Sequence, residues 1–366
     1  MSHEKVDLFL MKVAILFSLL LAGAFANANG ERQQYYTGVR QMGMGGASVA
    51  TVNDETALIS NPAGLGKLRD AFITIIDPDL EFSSQTANIV KYDALKMTDP
   101  QQVLDKAHLH QDQNLHEKVQ IFPSLVVPNF GIGIFGKYNV SGMDNSSTGK
   151  FDFDYTNDYA LVMGVNFRLW NGIIKVGTNA RIDNRTEVHN STIDDTSTNL
   201  TLQSLANSGV GIGSDAGIML TAPVAYLPTL AAVYRDVGRT NYTMRDGLFM
   251  TTTNKPDSTP PTLDGALSIQ PILGKRVRST WTVQLDDTMN AYKEKDINRR
   301  IHGGVEFNFA DAIFVRGGYN QRYWTAGLEL AMGNYQFQAA SYGEDIGPDG
   351  SPKEDRRYEV KFAFRF

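Results

Sequence analysis

Along most of this chain apolar side chains recur at every second position, with polar or small residues between them. Ile301, Gly303, Val305, Phe307 and Phe309 alternate with His302, Gly304, Glu306 and Asn308. Val277, Ser279, Trp281, Val283 and Leu285 alternate with Arg278, Thr280, Thr282, Gln284 and Asp286; Ile174, Val176, Thr178, Ala180 and Ile182 do so with Lys175, Gly177, Asn179 and Arg181. A period of two marks strands with two unlike faces. It predicts about fourteen of them, near 72–85, 119–127, 130–141, 156–169, 173–184, 209–221, 227–240, 266–273, 276–287, 300–308, 311–319, 323–332, 334–342 and 356–366.

The connections carry a second pattern. Short turns are expected near Pro128-Asn129, Asn171-Gly172, Pro223 to Pro228, Gly274-Lys275, Ala310-Asp311 and Gly333-Asn334. Long polar connections are expected near 86–118, 142–155, 185–208, 241–265, 288–299 and 343–355. The two kinds alternate, except that the link near Asn320-Gln321 is shorter than its place predicts. A sandwich or propeller has no reason to keep every second loop long, whereas a membrane barrel has short turns on one side and long loops on the other. The expected fold is therefore all-β: a transmembrane antiparallel up-and-down β-barrel of about 14 strands over 71–366. An even count brings both ends of the chain to one side, so the termini are expected in the periplasm and the long loops outside.

In the last strand Tyr358, Val360, Phe362, Phe364 and Phe366 alternate with Glu359, Lys361, Ala363 and Arg365, an oily face for lipid and a charged face for the lumen. A final strand closing on Phe366 resembles the assembly signal of bacterial outer-membrane barrels. That resemblance implies the barrel-assembly machinery as a partner and outer-membrane lipid as the surroundings.

Export is expected from the other end. Lys12 precedes the apolar run Val13 to Phe25, which has the length of a signal-peptide core and is too short to cross a bilayer as a helix. Small residues at Ala24 and Ala26, or Ala26 and Ala28, suit cleavage, so 1–28 reads as a leader. His3, Glu4 and Asp7 make a poor leader start, which points either to Met11 as the true first residue or to an unusually long leader. The absence of cysteine fits an exported protein.

A mean hydropathy of -0.25 excludes a helical membrane bundle but not a barrel, in which half of each strand is polar. The one other apolar stretch, Gly209 to Tyr234, holds Asp215, Pro223 and Pro228 and reads as two strands. With a net charge of -6 and no basic patch, nucleic acid is excluded as a partner.

Little in the chain suggests catalysis, and neither enzyme activity nor a cofactor is expected. There is no nucleophile elbow and no zinc-binding His-Glu helix. Asp152 and Asp154 alternate with Phe151, Phe153 and Tyr155 and read as a strand edge. Gly43, Gly45 and Gly46 follow no apolar strand and so make no dinucleotide loop. Asp99, Pro100 and Gln102 predict a capped helix running to about His116 in the first long loop. His108, His110 and His116 read there as solvated polar residues, not as a metal site.

Residues 36–66 break the alternation. They include Met42-Gly43-Met44-Gly45-Gly46-Ala47, then Asn53-Asp54-Glu55, then Asn61-Pro62-Ala63-Gly64-Leu65. The glycines allow tight turns in a crowded space, Asn53 suits a helix cap, and Pro62 keeps Asn61 extended. About thirty residues here resemble the N-terminal signature of the FadL/TodX-like family of outer-membrane transporters of hydrophobic compounds. The resemblance implies a fourteen-stranded barrel with an N-terminal hatch, here 29–70, and passive passage of a hydrophobic small molecule of the long-chain fatty acid or hydrocarbon type.

The closing part, 300–366, resembles the branch containing PorV of the type IX secretion system, which implies a second reading as a docking component for an exported protein. A general diffusion porin is a third reading. Against it stand Arg181, Arg278, Glu306, Arg316, Glu329, Lys361 and Arg365, expected to point inward and pair across a plugged lumen. In the loop 241–265, Met244, Leu248, Phe249 and Met250 could line an adaptable apolar ligand site.

Overall fold

The computed structural model describes residues 31, 34–90, 98–243, 252, 254–348 and 350–366. The leader 1–28 and the loop residues Met244, Leu248, Phe249 and Met250 lie outside the described residues. The alternating segments form strands β1 (Phe72–Ile76 continued by Asp79–Ser83), β2 (Leu115–Ile121 continued by Ser124–Val127), β3 (Phe130–Asn145), β4 (Lys150–Leu169) and β5 (Ile174–Asp194). They continue with β6 (Asn207–Thr221), β7 (Thr229–Arg235 continued by Tyr242–Thr243), β8 (Thr262–Ile269 continued by Ile272–Gly274), β9 (Val277–Leu285) and β10 (Ile301–Phe309). The last four are β11 (Ile313–Asn320), β12 (Tyr323–Met332), β13 (Tyr335–Asp345) and β14 (Glu354–Arg365).

Each strand pairs antiparallel with the next, and β14 returns to β1 through Thr74 opposite Arg365 and Phe82 opposite Tyr358. The sheet is thus a closed fourteen-stranded barrel with no free edge. Four strands are interrupted for identifiable reasons. Pro78, Pro123 and Pro271 have no N–H for the ladder, and in β7 the chain turns out at Asp236, which has φ 51°.

Outward positions form an apolar belt in which Ile75, Leu161, Phe167, Ile182, Ile212, Leu230, Val283 and Trp324 are exposed. On β14 the outward residues are Tyr358, Phe362 and Phe364, and Phe364 packs obliquely against Tyr335 and edge-on against Phe366, which follows the strand. Its inward residues Arg357, Glu359, Lys361 and Ala363 are buried. No helix among the described residues is long and apolar enough to cross a membrane. A barrel needs none, because its strands make the crossing.

The long and short connections alternate as expected with one further exception. The connection anticipated at 142–155 is a four-residue turn, 146–149, because β3 and β4 stay paired out to Asn145 opposite Lys150. Likewise β5 runs on to Asp194 and β13 to Asp345, shortening the connections expected at 185–208 and 343–355. The extension of β3, β4 and β5 is stabilised by an apolar cluster outside the lumen-facing rows. Phe151, Phe153, Val140, Val188 and Ile193 pack there with Val103, Leu104 and Ala107 of a loop helix, Pro100–Leu109.

Asp99 caps that helix, accepting from the backbone N–H groups of Gln101 at 3.1 Å and Gln102 at 3.4 Å. The helix stops at Leu109 and not near His116, because Asp112 takes φ 62° and Leu115 begins β2.

Candidate functional site

The segment 34–68 lies against inward-facing side chains around the barrel wall, and its two sides meet different chemistry. One side is apolar. Val49, Ala50, Val52, Leu58, Ile59, Ala63 and Leu65 form one buried cluster with Phe122, Val126, Phe135, Val162, Met219, Val233 and Ala266, all from the inner faces of β2 to β8. Taking this apolar surface out of water, at about 25 cal/mol per Å², draws the segment onto this part of the wall.

The other side is polar and faces β9 to β14. Arg40, in the short helix Val39–Gly43, meets Glu306 of β10 through Nε and Nη2, both at 3.0 Å. Its Nη1 donates to Asn53 at 2.6 Å and to Asp54 at 3.0 Å. Arg316 of β11 reaches the same Glu306 at 2.7 Å and also pairs with Glu329 of β12. Backbone N–H groups of Ser48 and Val49 donate to Gln284 of β9, each at 2.9 Å. Glu55 accepts from Arg365 at 3.1 Å, and Lys361 pairs with Asp77 at 2.8 Å. In the loop-side part of the lumen Arg357 holds Glu31 at 2.7 Å, and Lys118 holds Glu359 at 3.0 Å. Glu306, Arg316, Lys118, Arg357, Glu359 and Lys361 are buried in these pairs, and pairing with hydrogen bonds is the condition under which buried charge is tolerated.

Electrostatics inside the segment follow from this packing. Burial works against the Asp54 carboxylate, but Arg40 and the hydrogen bonds from Thr56 outweigh it and hold the group below its ordinary value. Glu55, with burial and the neighbouring Asp54 acting together, is held above its own.

The signature residues are placed by backbone approach. Gly45 has φ +70°, and a Cβ there would lie 2.3 Å from the Gly303 carbonyl and 2.6 Å from both N and O of Tyr319. His302 contacts the Gly45 carbonyl through Nδ1 at 3.0 Å, and Thr325 donates to the Gly43 carbonyl at 3.1 Å. Met42 and Met44 are buried beside them. Asn61 is fully buried and extended, with φ -155° and ψ 104°. Its Nδ2 donates to Val49 O at 2.9 Å and its Oδ1 accepts from Ala63 N at 3.1 Å, capping the turn Pro62–Lys67. Pro62 sits on Gly177 of β5, where a Cβ would come within 2.3 Å of the Pro62 carbonyl group. Ala63 and Gly64 are buried in the same turn.

Two expectations are corrected. Asn53 caps no helix: its side chain binds Arg40, while Asp54 Oδ1 accepts from Thr56 N at 3.0 Å. Arg278 does not enter the lumen network, since it pairs with Asp311 at the short-turn rim with its side chain 57 % exposed. Missing from the expected set were Arg40, Gln284, Asn179 and Asn166. The last two donate to Leu58 O at 2.8 Å and Ala63 O at 3.3 Å, so that wall amides satisfy segment carbonyls. Their inward phase on strands was the available signal.

Between segment and wall lie small clefts of mixed polarity, one lined by Met42, Glu81, Lys118, Tyr342, Glu344 and Arg357 and another by Tyr36, Val39, Met44, Glu55, Gln338 and Lys361.

No family model matches this chain, and no curated protein matches it. Solved structures do. The CymD monoaromatic hydrocarbon channel is 8% identical, with 90% of this chain and 97% of that chain covered at a TM-score of 0.53. The Ralstonia pickettii toluene transporter TbuX is 13% identical, covering 90% and 98% at 0.52. The Pseudomonas putida toluene transporter TodX is 11% identical, covering 94% and 99% at 0.52. The chain therefore has the FadL/TodX-like outer-membrane transporter fold.

Proposed function

We propose that this protein is an outer-membrane channel through which hydrophobic small molecules pass without energy input, and that the segment 34–68 is its hatch. One observation carries the reading: an apolar cluster on the inner wall from β2 to β8 packs against the segment, with Asn166 and Asn179 beside it satisfying segment carbonyls. A diffusion porin lines its lumen with polar groups and water. Here Phe122, Phe135, Val162, Met219 and Val233 would be wetted if the segment withdrew, and an apolar ligand taking its place would restore their contacts. The printed descriptions of CymD, TbuX and TodX name hydrocarbon or toluene passage, which supports the same ligand class. The apolar belt on the outer faces of the closed barrel supports a place in the outer membrane, with the short turns on the periplasmic side.

The test is flux into vesicles reconstituted with the full chain. A toluene-sized hydrocarbon is expected to enter faster than a sugar of similar size, and Val162→Asn with Val233→Asn is expected to lower hydrocarbon entry severalfold while sugar entry stays low. Equal entry of both solutes would make it a porin. A stoichiometric exported protein copurifying in mild detergent, without hydrocarbon flux, would make it a docking component.

Orientation has its own test. Epitope tags near Asn145, Ser197 and Lys255 are expected to be reachable on intact cells, and tags near Asn171 and Gly274 are not; labelling at the short turns would invert the topology.

A further inference from the structure

We propose that His108, Asp144 and Asp195 form a divalent metal site of the zinc type, which pins the loop helix to the extended strands. His108 lies in the last turn of the helix Pro100–Leu109, Asp144 at the end of β3, and Asp195 just past the end of β5. One ligand atom from each of the three lies within 4.8 Å of the other two. His108 Nδ1 is 2.9 Å from Asp144 Oδ2, and the backbone N–H of Asp195 donates to Gly149 O at 3.2 Å, which brings the third residue to the β3–β4 turn.

A second, independent observation points to a ligand. Asp144 is fully buried, yet its Oδ1 has no hydrogen-bond partner. Among the described residues no lysine or arginine pairs with this carboxylate; Oδ2 is contacted by His108 and by Gln111 Nε2 at 3.2 Å. A buried carboxylate oxygen left bare is costly, and buried charges are normally paired or bound to metal.

The donor set selects the ion. One imidazole and two carboxylates suit a borderline divalent ion such as Zn²⁺, which takes four nitrogen or oxygen donors. Calcium requires six to eight oxygens, and magnesium prefers an octahedral oxygen shell. Tetrahedral zinc holds its donors about 3.4 Å apart, so the three side chains need only close in slightly. His108 can do so because its side chain is 51% exposed, and that same exposure leaves the fourth position to water.

The three residues come from the first loop, the end of β3 and the β5–β6 connection, so an ion there would join these three parts of the chain. Next to it Val103 and Leu104 of the helix pack on Phe151 and Phe153, and the ion would hold that contact closed.

The experiment is calorimetric titration of the full-length barrel, purified without a polyhistidine tag, stripped with chelator and titrated with Zn²⁺ alone. One zinc per chain is expected, with Kd raised at least tenfold in His108→Ala and in Asp195→Asn and unchanged in His110→Ala. Zinc should also slow proteolysis within the helix, reversibly with chelator. Retained heat-modifiability shows that both variants still form the barrel; they sit at exposed or half-buried positions, so the test does not depend on altering buried Asp144. Absence of zinc binding, or affinity unchanged in both variants, overturns the site. Preferential binding of Ca²⁺ or Mg²⁺ at these residues overturns the metal class.

Discussion

Gly45→Val is expected to leave the barrel assembled and make it leak. A valine Cβ would be driven into the Gly303 carbonyl at 2.3 Å and the Tyr319 backbone at 2.6 Å, and wall backbone cannot swing aside as a side chain could. The residue also has φ +70°, which a β-branched side chain tolerates poorly. Strain of this kind costs about 1–3 kcal/mol. Even one or two kcal/mol changes an open-to-closed ratio by a factor of roughly 5–30. The ladder from β9 through β12 pairs residue by residue without Gly45, so the loss falls on the segment and not on the wall.

Small-solute permeability of reconstituted vesicles is therefore expected to rise severalfold, with heat-modifiability unchanged. Gly274→Val is the control, because a Cβ there meets nothing within 4 Å. If Gly45→Val vesicles are as tight as wild type, the segment is not what closes the lumen.

Much of this architecture was legible because a barrel strand has two unlike faces. Inward and outward residues alternate in β9 to β14 with few exceptions, and the turns at Pro128-Asn129 and Gly333-Asn334 are chemically marked. Legibility failed where the outer environment changes from lipid to protein. Phe151, Phe153 and Tyr155 look like an isolated apolar run among polar residues, and only the distant helix at 100–109 explains why the ladder continues there.

The signature 42–46 and 61–64 could be seen in the chain, but not its partners, because Glu306 lies 266 residues from Arg40. The same holds for the loop carboxylates: Asp144 and Asp195 are 51 positions apart, and His108 reads alone as a solvated residue. Periodicity locates faces; it does not say which faces meet.

Arg40→Met is expected to loosen the segment while sparing the wall, and the reason lies in how Glu306 is shared. In the native protein Arg40 grips Glu306 with two parallel bonds at 3.0 Å and reaches Asp54 with the third nitrogen. After the substitution Glu306 keeps Arg316 at 2.7 Å, so no bare charge is left in the wall. Asp54 loses its nearest cation. Both Arg40 and Asp54 have side chains 21% exposed, so the loss is expected at about 1–3 kcal/mol, below the 3–5 kcal/mol typical of a fully buried broken pair.

Hydrogen exchange over residues 39–60 should accelerate accordingly, with protection in β10, β11 and β12 unchanged, and permeability should rise in parallel. Arg40→Lys should recover only part, because an ammonium cannot reproduce the two-pronged contact.

The pH dependence follows from Asp54. Its carboxyl is held below the ordinary 3.8 in the folded protein, so the stabilisation is complete above that value and is lost as pH falls through the lowered one. The gap between wild type and Arg40→Met is therefore expected to be constant from neutral pH down to about 4 and to narrow only below it. Faster exchange spread equally over segment and strands would mean that Arg40 supports the barrel as a whole. A gap that closes near neutral pH would mean that a group other than Asp54 carries the coupling.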